Sequence, residues 1–263
     1  MEKITISIAG FNLLLNFYPV QDYAQSKKIF KKNLLHCLNG FIIPNTDQQA
    51  YITFNIQDTA TYEIIYSKKK SFVEIAEFDK NNVVNLHYQL SVPQFLLILA
   101  NLLSSLLQHH DGFILHGSAA LRNNKVDIYI GQSGSGKSTI IKLLKNEFPS
   151  IADDQIYIRK RQGVFMLYQT PYMENAPWIQ KTHKSFTIGN IYLLHQDTMT
   201  IVKKISEQEA TPILLENLIL TEKDNKLSVK NVFHFSTVTK TFYTLHFNLK
   251  RQQLIDSLHM NEQ

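Results

Sequence analysis

The run Gly131-Gln132-Ser133-Gly134-Ser135-Gly136-Lys137-Ser138 puts its residues at spacings that suit one chemistry, the handling of a polyphosphate. It fits the P-loop pattern G-x-x-x-x-G-K-[ST] at every fixed position. Glycines at 131, 134 and 136 let the backbone turn sharply and bring its N–H groups within hydrogen-bonding distance of phosphate oxygens. Lys137 supplies a mobile positive charge for the β and γ phosphates, and the Ser138 hydroxyl is of the type that coordinates Mg²⁺. Ser133, Ser135 and Thr139 complete the residues expected around the phosphates. The implied ligands are a nucleoside triphosphate, ATP, and Mg²⁺.

A second candidate is the carboxylate pair Asp153-Asp154, 15 residues after Ser138, which leaves room for one helix and a return to a sheet. Adjacent carboxylates beside a lysine and a divalent cation imply a division of labour. One holds the metal, directly or through water, and the other takes a proton from an incoming hydroxyl. On a single strand the two side chains point to opposite faces, which gives them distinct roles. Asp154 is expected on the metal with Ser138, and Asp153 as base. Arg159 and Arg161 follow closely, as candidates for stabilising transition-state charge or as solvated turn residues.

These groups need particular elements to hold them. Val126-Asp127-Ile128-Tyr129-Ile130 reads as a strand into the loop, and 139–145 has apolar positions at helical spacing, so a helix points its positive dipole end at the phosphates. Residues 112–121 read as a strand that turns at Arg122-Asn123-Asn124-Lys125 and returns into the loop, with His116 near its start. The pair Asp153-Asp154 falls on an expected strand over 151–158, with a hairpin partner over 164–168. Further strands are expected at 191–195 and 199–205, and helices at 207–220 and 249–258.

Ahead of these lies a β-rich stretch, residues 1–90, with alternating runs near 4–8, 13–17, 51–56, 62–66, 72–76 and 83–88. Turns such as Asp79-Lys80-Asn81-Asn82 separate them; the segment 22–38 fits either a helix or a loop. This module carries no chemical motif, so partner recognition or an oligomer contact is its expected role. Residues 91–109 hold no Asp, Glu, Lys or Arg, yet polar residues interrupt them, and a buried helix with Ser91 as N-cap is expected rather than a membrane span.

Composition narrows the classes. Apolar residues make up 44% and charged residues 19%, which suits a folded domain with a core, and a net charge of +5 without a dense basic cluster argues against nucleic acid as partner. Lys68-Lys69-Lys70 reads as a solvated turn. Cys37 is the sole cysteine, so no disulfide forms within the chain and a reducing, cytoplasmic setting is expected. No LSGGQ-like segment of an ABC-type ATPase is present.

Together His116-Gly117, the loop 131–138 and Ala152-Asp153-Asp154 resemble the HPr kinase/phosphorylase family, most closely its short HPr-kinase-like members, some of which are peptide serine kinases in lasso-peptide clusters. The resemblance covers about residues 112–220, including Glu209-Ala210 near a leucine-rich helix. It implies an α/β fold with a mixed sheet around a P-loop core related to phosphoenolpyruvate carboxykinase, over 91–263. It also implies transfer of the γ-phosphate of ATP to a serine of a peptide or small protein. Lys137 and the loop amides would hold the phosphates, and Ser138 would bind Mg²⁺. His116 would lie near the γ-phosphate or bond to the aspartate pair. Relatives assemble into oligomers, so a homo-oligomer is compatible with the resemblance. The family's later glycine-rich signature and Arg-containing C-terminal motif have no counterpart here. That leaves the reverse phosphorylase reaction, and HPr itself as acceptor, without support. Two other readings use the same core: a kinase for a small metabolite, and a nucleotide-binding regulatory module with weak ATPase activity.

Overall fold

The computed structural model describes residues 1–19, 24–46, 48–57, 64–67, 70–73, 76–78, 82–172, 174–220 and 225–260. Lys68 and Lys69 of the lysine run and Asp79-Lys80-Asn81 of the expected turn lie outside the described residues, as do 62–63 and 74–75 of two expected strands. The chain divides into two compact units, Met1–Ala100 and Asn101–Gln263. Both are mixed α/β, with six α-helices among the described residues.

The first unit contains β1 (Glu2–Ile8), β2 (Phe11–Phe17), α1 (Ala24–Cys37), β3 (Ile42–Ile43), β4 (Ile52–Gln57), β5 (Ile64–Ser67), β6 (Lys70–Val73), β7 (Ala76–Phe78) and β8 (Val83–His87). Helix α2 (Val92–His109) follows and straddles the division between the units. The main sheet runs β3-β1-β2-β4-β8-β7, while β5 and β6 pair separately. Strict alternation explains its core face: Ile6, Ile8, Phe11, Leu13, Leu15, Phe54, Ile56 and Leu86 are fully buried. On the opposite face Asn16, Asn55 and Asn85 stand in register on three parallel strands. Asn16 Nδ2 donates to Asn55 Oδ1 at 3.0 Å, and Asn55 Nδ2 to Asn85 Oδ1 at 3.1 Å.

The open segment 22–38 forms α1, whose Phe30 and Leu34 are buried four residues apart. In α2, Phe95, Leu99, Leu103 and Leu107 recur at the same spacing, all fully buried. Ser91 caps it as expected: the Ser91 N–H donates to Gln94 Oε1 at 2.9 Å and Gln94 returns its own N–H to Ser91 Oγ. By length and composition α2 is apolar enough to cross a membrane; its fully buried i, i+4 stripe is equally that of a core helix.

The second unit contains β9 (Gly112–His116), β10 (Ser118–Arg122), β11 (Lys125–Ile130), α3 (Lys137–Leu144), β12 (Ser150–Ala152), β13 (Gln155–Arg161), β14 (Val164–Gln169), β15 (Ser185–Gln196), β16 (Ile201–Lys204), α4 (Glu207–Glu216), α5 (Lys226–Val238), β17 (Phe242–Phe247) and α6 (Arg251–Met260). Strands β11, β15 and β17 are parallel neighbours at the centre of a nine-stranded sheet. Helices cover both faces, so central strands are apolar on both sides. Val126, Ile128 and Ile130 pack in one core with Ala210 and Leu214 of α4 and Val232 and Phe235 of α5. Tyr129 packs in the other with Ile140, Ile141 and Leu144 of α3 and Leu254 and Leu258 of α6. A buried ion pair pins the β10–β11 hairpin to α6: Arg122 Nε meets Asp127 Oδ2 at 2.6 Å while Arg122 Nη1 donates to the Leu258 carbonyl.

Two strands expected to be continuous are broken. The run 112–121 splits at Gly117 into β9 and β10, so His116 ends a strand instead of opening one. The run 151–158 splits at Asp153-Asp154 into β12 and β13. The two breaks face each other. On one side of them β10 pairs β12, on the other β9 pairs β13, and the Gly117 N–H donates to the Asp154 carbonyl at 2.9 Å across the gap. The aspartates therefore sit at a bend, and strand alternation no longer determines where they point.

Candidate active site

The loop 131–136 leaves the end of β11 and enters α3 at Lys137, the strand–loop–helix arrangement that the motif requires. Gly136 caps the helix at φ +99°, and a Cβ there would meet Phe247 Cζ at 2.6 Å. Position 131 is closed for a different reason: a Cβ would come within 2.7 Å of Ser135 Oγ. Gln196, at the end of β15, clamps the far side of the loop by donating from Nε2 to the Gly134 carbonyl at 2.7 Å. Ser133 and Gly134 are exposed, Ser138 is exposed on the first turn of α3, and Thr139 beside it is half-buried. The first-turn N–H groups of α3 thus point out of the sheet at a solvent-open loop.

Lys137 is buried, and its Nζ donates to the carbonyls of Gly131 at 2.7 Å and Gln132 at 3.2 Å. Burial lowers its ammonium from the usual lysine range, and the nearby Asp154 charge opposes that drop. The first turn is tied to β10 by Ser118, whose buried Oγ donates to the Lys137 carbonyl at 3.1 Å.

The two aspartates occupy different surroundings. Asp153 is buried, and its carboxylate lies near the Ser138 hydroxyl. Its Oδ1 has no hydrogen-bond partner among the described residues. Burial pushes this carboxyl above its usual range; the nearby Ser138 hydroxyl pulls back part of the shift and the Asp154 charge adds to it. Asp154 is partly exposed, and its Oδ1 lies 3.2 Å from His116 Nδ1. His116 is itself held from two sides. It faces Gln155 in the β9–β13 ladder, and its N–H donates to the Asn217 carbonyl just past α4 at 2.8 Å.

The structure therefore brings together five of the residues singled out for chemistry: His116, Lys137, Ser138, Asp153 and Asp154. It does not bring Arg159 and Arg161 to them. Gln155 faces His116, whereas Arg159 faces Gly112 at the other end of β9, about 13 Å away at a strand's rise per residue. Their closeness to the aspartates is only sequential.

Sequence reasoning missed Glu174, Gln196 and the stretch that ends α4. Glu174 Oε2 accepts the Asp153 N–H at 2.8 Å, and its other oxygen pairs with Lys181. No periodicity marks a single glutamate in a proline-bearing loop. A cleft of about 430 Å³ opens beside the loop, lined by Gly131 to Ser135, by Leu193 to Gln196, and by Ile213 and Glu216. His195 in its wall stacks on His246 at 4.9 Å.

No family model and no curated protein matches the chain. Among solved structures it is similar to the HPr(Ser) kinase/phosphatase from Coxiella burnetii, at 11% identity over 57% of this chain and 99% of that chain, with a TM-score of 0.25. An overlap that loose carries no argument about activity, which leaves the geometry of the site to carry it.

Proposed function

We propose that the protein is an ATP- and Mg²⁺-dependent phosphotransferase acting on a hydroxyl, with a serine of a peptide or small protein as acceptor. One observation carries the reading: the double strand break sets Ser138–Asp153 and His116–Asp154 side by side at the mouth of the glycine loop. The residues fit the implied groups. Asp153 Oδ1 is a buried oxygen with acceptor capacity to spare, and Gly131 and Gly136 keep the loop free of side chains where a Cβ has no room. Bound Mg²⁺ would offset the charge on the β and γ oxygens of ATP.

The chain's own residues then divide the work. Loop amides and Lys137 hold the phosphates, and Ser138 with Asp153 forms the metal side. Asp154, oriented by His116, takes the proton from the acceptor hydroxyl as its oxygen bonds to the γ phosphorus and the bond to ADP breaks. This division reverses the sequence expectation of Asp153 as base and Asp154 on the metal. Contact with the metal-type hydroxyl favours Asp153 on the metal side, and greater exposure favours Asp154 facing an incoming acceptor. The cytoplasmic setting and the homo-oligomer expected from the sequence remain part of the proposal, as does a recognition role for residues 1–90. Neither nucleic acid nor membrane is required.

Incubation with γ-labelled ATP and Mg²⁺ tests the reading, offering serine peptides, a pool of hydroxylated metabolites, or water alone. Label on a peptide serine supports it. Label only on a metabolite favours the small-molecule kinase, and label only in free phosphate favours the regulatory module.

A further inference from the structure

A second concavity of the same unit, about 720 Å³, lies against the strand that leads into the aspartates. Lys145, Lys181, Lys184, Trp178, Ile151 and Phe186 define it, and among the described residues no Asp or Glu lines it. Trp178 is 41% exposed although it is the only tryptophan in the chain. Its ring is held in place: Nε1 donates to Ser150 Oγ at 3.2 Å, and Lys145 Nζ sits over the ring at 4.7 Å. A large aromatic fixed at the surface and flanked by exposed cations is a recognition platform more than a packing residue.

Two connections lead from this groove to the chemistry. Ile151 in its wall is two residues from Asp153, a reach of about 7 Å along an extended chain. Lys181, also in the wall, pairs with Glu174, which accepts the Asp153 N–H. The groove does not read as a site for adding a strand, although β12 ends the order of its sheet. The Ile151 carbonyl already accepts from Gln169 Nε2 at 2.6 Å. Recognition here falls to side chains, which favours charge over main-chain pairing.

We propose that this groove docks an acidic segment of the peptide acceptor, with Lys145 and Lys184 meeting its carboxylates and Trp178 its chain, so that a serine a few residues along reaches Asp154. The inference rests on the peptide-kinase reading for its consequence, but the docking itself can be read without catalysis. Because Trp178 is the sole tryptophan, intrinsic fluorescence of the full chain reports occupancy of the groove directly.

The probe is a synthetic peptide with one serine and a run of glutamates, compared with the same peptide bearing glutamines or lysines. The expected result is a saturable fluorescence change with the acidic peptide alone, weakened by salt. Lys184→Glu and Lys145→Glu/Lys184→Glu should weaken its affinity by about tenfold, because each replaces an exposed attraction by a repulsion. Circular-dichroism melts check that these surface variants fold. No fluorescence response, or equal responses to all three peptides, overturns the docking proposal. Serine phosphorylation without any such preference would leave the kinase reading standing and this inference overturned. Acidic-peptide binding without phosphate transfer would do the reverse.

Discussion

His116 and Gly117 grip Asp154 twice: His116 Nδ1 lies 3.2 Å from the carboxylate, and the next N–H, at Gly117, donates to the Asp154 carbonyl at 2.9 Å. The break in one strand thereby fixes the break in its neighbour. In the proposed reaction this places Asp154, held by His116 at the end of β9, to take the proton of the acceptor hydroxyl.

Replacing His116 by Ala should lower kcat by about ten- to a hundredfold, less than loss of a general base itself, with ATP affinity little changed. The His116→Gln variant keeps a hydrogen-bonding group and should recover part of the loss. Steady-state kinetics measure both, and a change confined to KM for ATP would place His116 in nucleotide binding instead.

The aspartates should separate by what their loss disturbs. Asp154→Asn is expected to reduce kcat by about 10²–10⁴ with the Mg²⁺ requirement unchanged. Asp153→Asn should instead raise the Mg²⁺ concentration needed for half-maximal rate. Magnesium titrations on both variants decide the matter, and the opposite pattern restores the assignment expected from the sequence.

Burial raises the Asp153 carboxyl above its usual range, so the folded state holds its proton more tightly than the unfolded chain does. A group of this kind stabilises fully below the unfolded pKa, and the contribution is lost as pH climbs through the folded one. Wild type should therefore lose stability relative to Asp153→Asn as pH rises above the ordinary aspartate range. Melting temperatures of the two proteins across the acid-to-neutral range test this; a constant difference would contradict it.

Gly136→Ala forces a side chain into the left-handed region and within 2.6 Å of Phe247 Cζ. A cost of about 1–3 kcal/mol in stability is expected. Affinity for ATP should fall by about tenfold or more, because the helix start and the loop amides shift together. Thermal melts and a nucleotide titration measure the two effects.

The glycine loop, its flanking strand and helix, and the β13–β14 hairpin are legible in the sequence because each rests on local rules: a fixed motif, helical spacing, a turn at Arg161-Gln162-Gly163. What escapes is non-local. Nothing in 112–121 or 151–158 shows where each run breaks, since the break is set by pairing between the two, through Gly117 and Asp154. Helix α5 and strand β17 escape because their apolar residues face a core assembled from distant elements, Phe235 against Phe113 and Phe165 among them. Glu174 and Gln196 matter through contacts with Asp153 and Gly134, and no local pattern could reveal them.

The central claim, transfer to a hydroxyl with Asp154 as proton acceptor, is tested most directly in a single turnover. Enzyme in excess over γ-labelled ATP would be mixed with Mg²⁺ and a serine peptide, using wild type, Lys137→Ala and Asp154→Asn. Wild type is predicted to place the label on the peptide serine, and both variants to leave it on ATP over the same interval. Label on serine at the wild-type rate with Asp154→Asn would contradict the account, as would wild type that binds ATP but labels no hydroxyl.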